Sequence, residues 1–228
     1  MKQPLKELNN LNALKNGLSK QWIWGNKDNH FHSCDILQKV NYCIQDLNRE
    51  IESLAQPTMK EIVYTIVLVD WIREAVEVLP EVMIPRLLDS FAFAHENQLT
   101  EANKYFKAIR SFAVAHPLTT DRHPQYGLDG DKICVDIRHE ASMARFTDDH
   151  WFMIDFSGFR KAKATESADY LLYIYSRDID GMRFFQYVQA NVCDLFRVAE
   201  LNIEKLYAMD KYLSKLRKKD WINNEQAE

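Results

Sequence analysis

The amino-acid sequence predicts a mainly α fold: an antiparallel helical bundle with a small antiparallel β insertion and a long C-terminal helix. Apolar residues recur at helical spacing over most of the first half and again towards the end. Between these regions lie short runs rich in aromatic and β-branched residues, which favour strands. The 228 residues include only six Gly and six Pro, so long regular elements are expected. The predicted organisation is a helical first part at 1–117, a loop and small β-sheet insertion at 118–180, and at 181–228 a long C-terminal helix that completes the bundle and ends in a polar tail.

The helices of the first part follow from apolar residues at intervals of three and four. Regularly spaced leucines predict a short amphipathic helix at 5–24, and a heptad-like stripe predicts a helix at about 33–55. The segment 58–79 is apolar around most of its circumference, so it is expected at the centre of the bundle. Two further helices are predicted at 86–96 and at 100–116.

The second half of the chain predicts strands followed by one long helix. Strand-like runs occupy 133–138, 151–156 and 170–175. Their connections are too short for a comfortable crossover helix, so an antiparallel sheet is expected. From 182 to about 219 the apolar spacing is helical, with the polar Asn202 inside the seam. At about 1.5 Å per residue such a helix exceeds what one small domain needs, so it either breaks or packs on a partner chain, and a homodimer through this helix is expected.

Composition excludes several classes of function. The net charge of −4 argues against broad, sequence-blind coating of nucleic acid, which normally uses a basic surface. The N-terminal residues lack the apolar core of a signal peptide, and no run reaches the ~18 apolar residues of a membrane span, so a cytoplasmic protein without membrane contact is expected. The four Cys are far apart and give no zinc-site spacing. Phosphate-binding glycine loops, GxSxG and HExxH are absent.

Two polar residues stand out in the apolar run that ends the helix before Pro117, namely Arg110 and His116. An Arg keeps its charge and binds phosphate, while a His titrates near neutrality. On an ideal helix the two would lie about 120° apart. Because Pro117 disfavours the α conformation at His116, the His is expected to leave the helix, which would let both side chains converge.

An Arg, then four to six residues, then a His at the end of a helix resembles the HEPN superfamily. Here the motif is Arg110-Ser-Phe-Ala-Val-Ala-His116, and the resemblance extends over roughly 30–117 and the C-terminal helix. Active members of that superfamily are metal-independent RNases, and others are non-catalytic binding modules. The resemblance implies an endoribonuclease of a toxin or defence type, without cofactor, in which Arg110 and His116 act at a dimer cleft. RNA and a cognate protein are the implied partners.

The resemblance also implies roles for the residues around the motif. His116 would move protons while the RNA 2′-hydroxyl attacks the adjacent phosphate, and Arg110 would stabilise charge on the phosphoryl oxygens. Asp70 or Glu74, on the central helix, could pair with Arg110 and orient it, or could pair with Arg73 or a lysine at the surface.

One departure from the family and one basic segment complete the predicted site. The residue after the motif Arg is often Asn or Asp in the family, and here it is Ser111. In the β insertion, candidate RNA-binding residues are Arg138, Arg145, Arg160 and Lys161. They favour either a phosphate-facing flap beside His116 or ordinary solvated strand ends.

The alternative function is a non-catalytic helical module that binds a partner protein or a small ligand. In that case Arg110 would be a structural ion-pair partner and His116 would cap the end of its helix. The negative net charge favours this alternative, and the position of the Arg–His pair at a helix end favours the RNase.

Overall fold

The protein is mainly helical with one small sheet, which confirms the coarse fold class that the sequence predicts. The computed structural model describes residues 4–115, 117–119, 121, 123–126, 128, 133–138, 151–155, 158–161, 168–177, 183–219 and 221. Within these residues the α-helices are α1 (Lys27–Glu50), α2 (Met59–Glu81), α3 (Glu96–Arg110) and α4 (Val192–Lys215).

Helix α2 lies at the centre of the bundle, as its sequence predicts. It packs against α1 on one side and against α4 on another, and α3 packs on α4. Thr58 caps its N-terminus: the Thr58 side chain accepts from the N–H of Glu61, and the Glu61 carboxylate accepts from the N–H of Thr58. This reciprocal pair satisfies two of the N–H groups that a helix start leaves without partners. The cap places Pro57 before the helix rather than at its first position.

The predicted helix at 5–24 is wrong. Only two short 3₁₀ turns form there, Leu11–Ala13 and Gln21–Trp24. Asn16 has φ +64°, which an α-helix does not allow, and Gly17 lies so close to α4 that an added Cβ would be 1.9 Å from the Asp210 carbonyl oxygen. We call residues 5–25 the N-terminal strap, because they cross α1 and α4. Leucines at intervals of about three residues can pack against the core from this irregular segment as well as from a helix.

The predicted helix at 86–96 is also wrong, because that segment forms consecutive turns. Arg86 has φ +67°, and the amide of Leu87 bonds the carbonyl of Ile84 three residues back. Helix α3 therefore begins at Glu96, earlier than the Thr100 start that the sequence suggests. Thr100 instead bonds the Glu96 carbonyl from inside the helix.

The predicted helix from 182 to 219 is wrong over its first part. Arg183–Ala190 forms a β-strand, and α4 begins only at Val192. All residues of α4 that are exposed are charged, namely Glu200, Lys211 and Lys215. The seam of α4 packs within the same chain, and Asn202 bonds the Val198 carbonyl and Asn103. The helix is therefore shorter than predicted, and a homodimer through it stays a prediction.

Among the described residues the sheet has five strands rather than the three predicted. They are β1 (Cys134–Arg138), β2 (Trp151–Asp155), β3 (Gly158–Lys161), β4 (Tyr170–Arg177) and β5 (Arg183–Ala190), in the order β1-β4-β5-β2-β3. Strand β2 runs parallel to β5, and the other neighbours are antiparallel, so the expectation of an antiparallel sheet is wrong for one pair. No crossover helix is needed, since β3 and β4 themselves connect β2 to β5.

One face of the sheet belongs to the main core. Val135, Ile174, Leu172 and Val188 alternate onto this face and pack with the helices. Leu171 and Tyr187, with Ala168 and Tyr173 packed against them, form a small separate cluster. The sheet is thereby attached to the bundle beside the end of α3, where Val135 N–H donates to the Pro117 carbonyl at 2.6 Å.

Candidate functional site

A row of five charged side chains joins α2 to the end of α3, and we call it the charged row. Arg110 Nε lies 2.5 Å from Asp70 Oδ2. The other oxygen of Asp70 accepts from Arg73, at 3.1 Å from Nε and 2.9 Å from Nη2. Arg73 Nη1 lies 2.6 Å from Glu77, and Glu77 lies 3.4 Å from Lys107 Nζ. The order Lys107, Glu77, Arg73, Asp70, Arg110 alternates in sign from one end to the other.

Burial differs sharply along this row. The side chains of Asp70 and Arg73 are 12% and 9% exposed, whereas Arg110 is 45% exposed. A carboxylate as buried as Asp70 needs cationic partners, and it has two. Arg110 uses Nε for this contact, and its guanidinium makes no other polar contact with the described residues. Its two terminal nitrogens are therefore available to a ligand from solvent.

The neighbouring cations of the charged row stabilise the ionised form of Glu77. Burial opposes its ionisation, but the hydrogen bond and charge of Arg73, helped by Lys107, outweigh burial and lower the pKa of the Glu77 carboxyl below its usual value. Glu77 thus stays ionised and keeps Arg73 facing Asp70.

The chain changes its helical geometry between the two residues of the motif. The α-helix ends at Arg110 and continues as a π turn, Ser111–Ala115. Such turns are rare and occur frequently at functional sites. His116 itself lies outside the described residues. Its neighbours are fixed on both sides, Ala115 by the π turn and Pro117 by its bond to Val135 of β1.

Ser111, the residue that departs from the family, is 5% exposed. Its hydroxyl has no hydrogen-bond partner among the described residues. It lies next to Arg110 in the chain but does not contact the charged row there, so its supporting role stays a prediction.

Of the two carboxylates considered for orienting Arg110, Asp70 makes the contact. Glu74 is exposed and lies on the other side of Asp70, where it lines a groove between α1 and α2. Arg73 also pairs with Asp70, but in the protein interior rather than at the surface. One carboxylate therefore serves both arginines.

The candidate RNA-binding residues that the structure describes lie in two different strands. Arg145 lies outside the described residues. Arg138 ends β1, while Arg160 and Lys161 lie in β3, at the opposite edge of the described sheet. Neighbouring strands are about 4.8 Å apart, so four intervals separate these edges by roughly 19 Å. Strand β1 packs against the π turn.

Sequence reasoning missed the groove between α1 and α2. Its volume is about 360 Å³, and its lining residues are His32, Asp35, Ile36, Lys39, Trp71, Glu74, Ala75 and Val78. A signal was present in α2, where Tyr64, Val67, Trp71, Glu74 and Val78 follow a three-four spacing opposite the core stripe. An aromatic stripe on the second face of a central helix indicates a surface that the bundle itself does not cover.

Neither a metal site nor a membrane-spanning helix occurs among the described residues. No group of three or more His, Cys, Asp or Glu in the described part of the chain is arranged to hold a metal ion. None of the helices found there combines the length and apolar character that crossing a bilayer requires. Comparison with protein-family models, with curated protein sequences and with solved structures gives no match.

Proposed function

We propose that the protein is a HEPN-like, metal-independent endoribonuclease whose site comprises Arg110 and His116. The observation that supports this most is the way Arg110 is held. A half-exposed guanidinium is fixed through Nε by a buried carboxylate, which leaves two terminal N–H groups free to bind phosphoryl oxygens. An Arg restrained in this manner loses little entropy when it binds a phosphate, which is what an electrostatic catalyst needs.

The proposed reaction is transesterification within RNA. The 2′-oxygen bonds to the adjacent phosphorus, the bond from phosphorus to the 5′-oxygen breaks, and the products are a 2′,3′-cyclic phosphate and a 5′-hydroxyl end. His116 takes the proton of the 2′-hydroxyl, and the leaving 5′-oxygen takes a proton from water, which gives the 5′-hydroxyl end. Arg110 stabilises the charge that builds on the two non-bridging oxygens. Asp70 acts through Arg110 as a positioning residue.

The proposal keeps a homodimer with a cleft between its subunits and a cytoplasmic RNA substrate. The exposed residues of α4 are charged, whereas exposed aromatic residues lie on α1 and α2. A toxin or defence setting with a cognate protein remains part of the proposal.

The alternative, a non-catalytic helical module, is favoured by a different observation. Phe31, Tyr42, Tyr64 and Trp71 are all exposed on α1 and α2. Clusters of this kind mark interaction surfaces more often than catalytic ones. In that module Arg110 would only secure α3 to α2 through Asp70.

Replacing Arg110 separates these functions. In Arg110→Ala we expect cleavage of single-stranded RNA to fall about 100- to 1000-fold, the usual cost of losing one electrostatic donor. Asp70 keeps Arg73, and Arg110 is half-exposed, so the melting temperature should change little. Arg49→Ala, which removes a largely exposed Arg paired with Asp46, is the matched control and should cleave like the wild type. Equal cleavage by Arg110→Ala and wild type would refute the role of Arg110, and no cleavage by wild type would favour the binding module.

A further inference from the structure

The groove between α1 and α2 combines an apolar floor with polar groups at its rim. Ile36, Ala75 and Val78 supply aliphatic surface, and the Trp71 side chain forms one wall. Its volume of about 360 Å³ lies within the range of small-ligand sites. Trp71 is 38% exposed, so its ring can be reached from solvent.

Three charged groups converge on this groove from two helices. Asp35 and Lys39 come from α1, and Glu74 comes from α2. Neither Asp35 nor Glu74 has an ion-pair or hydrogen-bond partner among the described residues, so both carboxylates can accept from a ligand. The Lys39 ammonium lies 3.5 Å from the centroid of the Trp71 ring. A flexible lysine stem lets that ammonium move aside and donate elsewhere when another group occupies the ring.

These groups select among ligand chemistries. A flat aromatic ligand suits the indole wall, since bases of single-stranded RNA bind by stacking on aromatic side chains. A carboxylate matches two adjacent N–H donors, as guanine presents at N1 and N2, and an ammonium matches the guanine O6 and N7 acceptors. Adenine, cytosine and uracil lack such a pair of adjacent donors on one edge. A ligand with a phosphate inside the groove would meet two carboxylates, so the phosphate must lie outside it.

We propose that the groove binds a guanine base, with Trp71 as the stacking surface and Glu74 as the acceptor for N1–H and N2–H. The inference rests on the proposed RNase function for its choice of RNA as the source of that base. Position supports the link, because Glu74 lies one helical turn after Asp70, the residue that holds Arg110. On an ideal helix these two residues are only about 40° apart, so Glu74 is the α2 residue of the groove that lies nearest to Asp70 around the helix.

The test is binding of GMP, AMP, CMP and UMP to the full chain, measured by isothermal titration calorimetry at one fixed salt concentration. We expect GMP to bind most tightly. Glu74→Gln, which keeps the shape but loses the carboxylate, should weaken GMP binding about tenfold and abolish the preference for guanine. Trp71→Ala should weaken binding of every nucleotide. Tyr42→Ala removes an aromatic that is 52% exposed on α1 but does not line the groove, so it is the matched control and should bind like the wild type.

Failure of this inference is distinguishable from failure of the RNase proposal. The groove assignment falls if wild type binds no GMP, if it binds the four nucleotides equally, or if Glu74→Gln leaves the preference unchanged. Competition of GMP by spermidine at similar affinity would also overturn it, because the groove would then be a site for cations. RNA cleavage without preference for guanine would refute the groove alone. Guanine binding that depends on Glu74, together with absent RNA cleavage, would refute the RNase alone.

Discussion

At the scale of single residues, Asp70 decides the geometry of the candidate site. The buried Asp70 carboxylate binds two arginines that differ in exposure. Arg73 is buried with it, and the Arg110 side chain reaches solvent. The buried pair holds the carboxylate in one orientation, and the carboxylate in turn orients the exposed guanidinium. A surface ion pair would not achieve this, because both its partners would exchange freely with water.

Asp70→Asn should therefore destabilise the fold as well as the site. The substitution removes the buried one of the two carboxylates that pair with Arg73 and leaves only Glu77, which is about half-exposed. Breaking a buried ion pair costs about 3 kcal/mol or more when a charge is left uncompensated, so with Glu77 in place we expect a loss of about 2 kcal/mol. Urea unfolding at neutral pH measures this loss. Asp89→Asn breaks an exposed pair with Arg86, whose partners are 64% and 66% exposed, and should cost less than about 1 kcal/mol. Equal losses in the two variants would contradict the central position of Asp70.

Glu77 should make the stability of the protein depend on acid pH. Its pKa is lowered in the folded state from its usual value of 4.5, despite opposing burial, by Arg73 and Lys107. A carboxyl of this kind stabilises the fold above the unfolded-state pKa and loses that contribution as the pH falls through the folded-state pKa. Glu77→Gln has no such contribution, so its unfolding free energy should fall less steeply than that of the wild type below about pH 4.5. Parallel curves from denaturant unfolding over this range would exclude the effect.

The sequence alone indicates Arg110 as a candidate site residue and Asp70 as one of two carboxylates that could orient it. It could not choose between Asp70 and Glu74, since both lie on one helix one turn apart, and the choice depends on where α3 crosses α2. The wider row was harder to foresee, because Lys107 and Glu77 meet only through that crossing.

At the scale of elements, the N-terminal strap is held by polar contacts that no periodicity can reveal. The buried Asp210 carboxylate accepts from the backbone N–H groups of Lys15 and Leu18. Lys20 Nζ donates to the carbonyls of Leu213, Ser214 and Leu216, at 2.7 to 2.8 Å, and so caps the C-terminus of α4. These contacts serve carbonyls that a helix end leaves without partners.

Lys20→Ala should destabilise the protein by about 2 kcal/mol, because it removes charged hydrogen bonds to three terminal carbonyls. Lys15→Ala is the matched control: Lys15 is exposed and contacts Asp210 only through its backbone, so its loss should be within about 0.5 kcal/mol. Thermal unfolding of both variants measures the difference. If Lys15→Ala costs as much as Lys20→Ala, general charge rather than the cap stabilises this end of α4.

The sequence predicts an element well when its hydrophobic pattern is unambiguous. It fails where a strand directly precedes a helix and the two share one apolar spacing. Helix α2 is apolar over most of its surface and begins at a capping pair. The predicted range, 58–79, is therefore close to the observed range, Met59–Glu81. Strand β5 was missed because Phe185 and Val188 continue the three-four spacing of α4 backwards. The aromatic and β-branched content of 183–190 favoured a strand, and Asn191 separates it from the helix.

At the scale of the whole molecule, the bundle and sheet meet at the end of the motif helix. The bond between Val135 and Pro117 attaches the edge strand β1 one residue after His116. Of the candidate RNA-binding residues, Arg138 lies in one edge strand of the described sheet, and Arg160 and Lys161 lie in the opposite edge strand. With a net charge of −4, the proposed RNA recognition would have to depend on a local site rather than on general attraction.

The most direct test of the central claim is cleavage of a mixed RNA pool in EDTA by wild type and by His116→Ala, with analysis of the product ends. The proposed chemistry gives 2′,3′-cyclic phosphate and 5′-hydroxyl ends from the wild type and none from His116→Ala, with equal melting temperatures for the two proteins. Cleavage that persists in His116→Ala, or a stable wild type that leaves the pool intact, would contradict it.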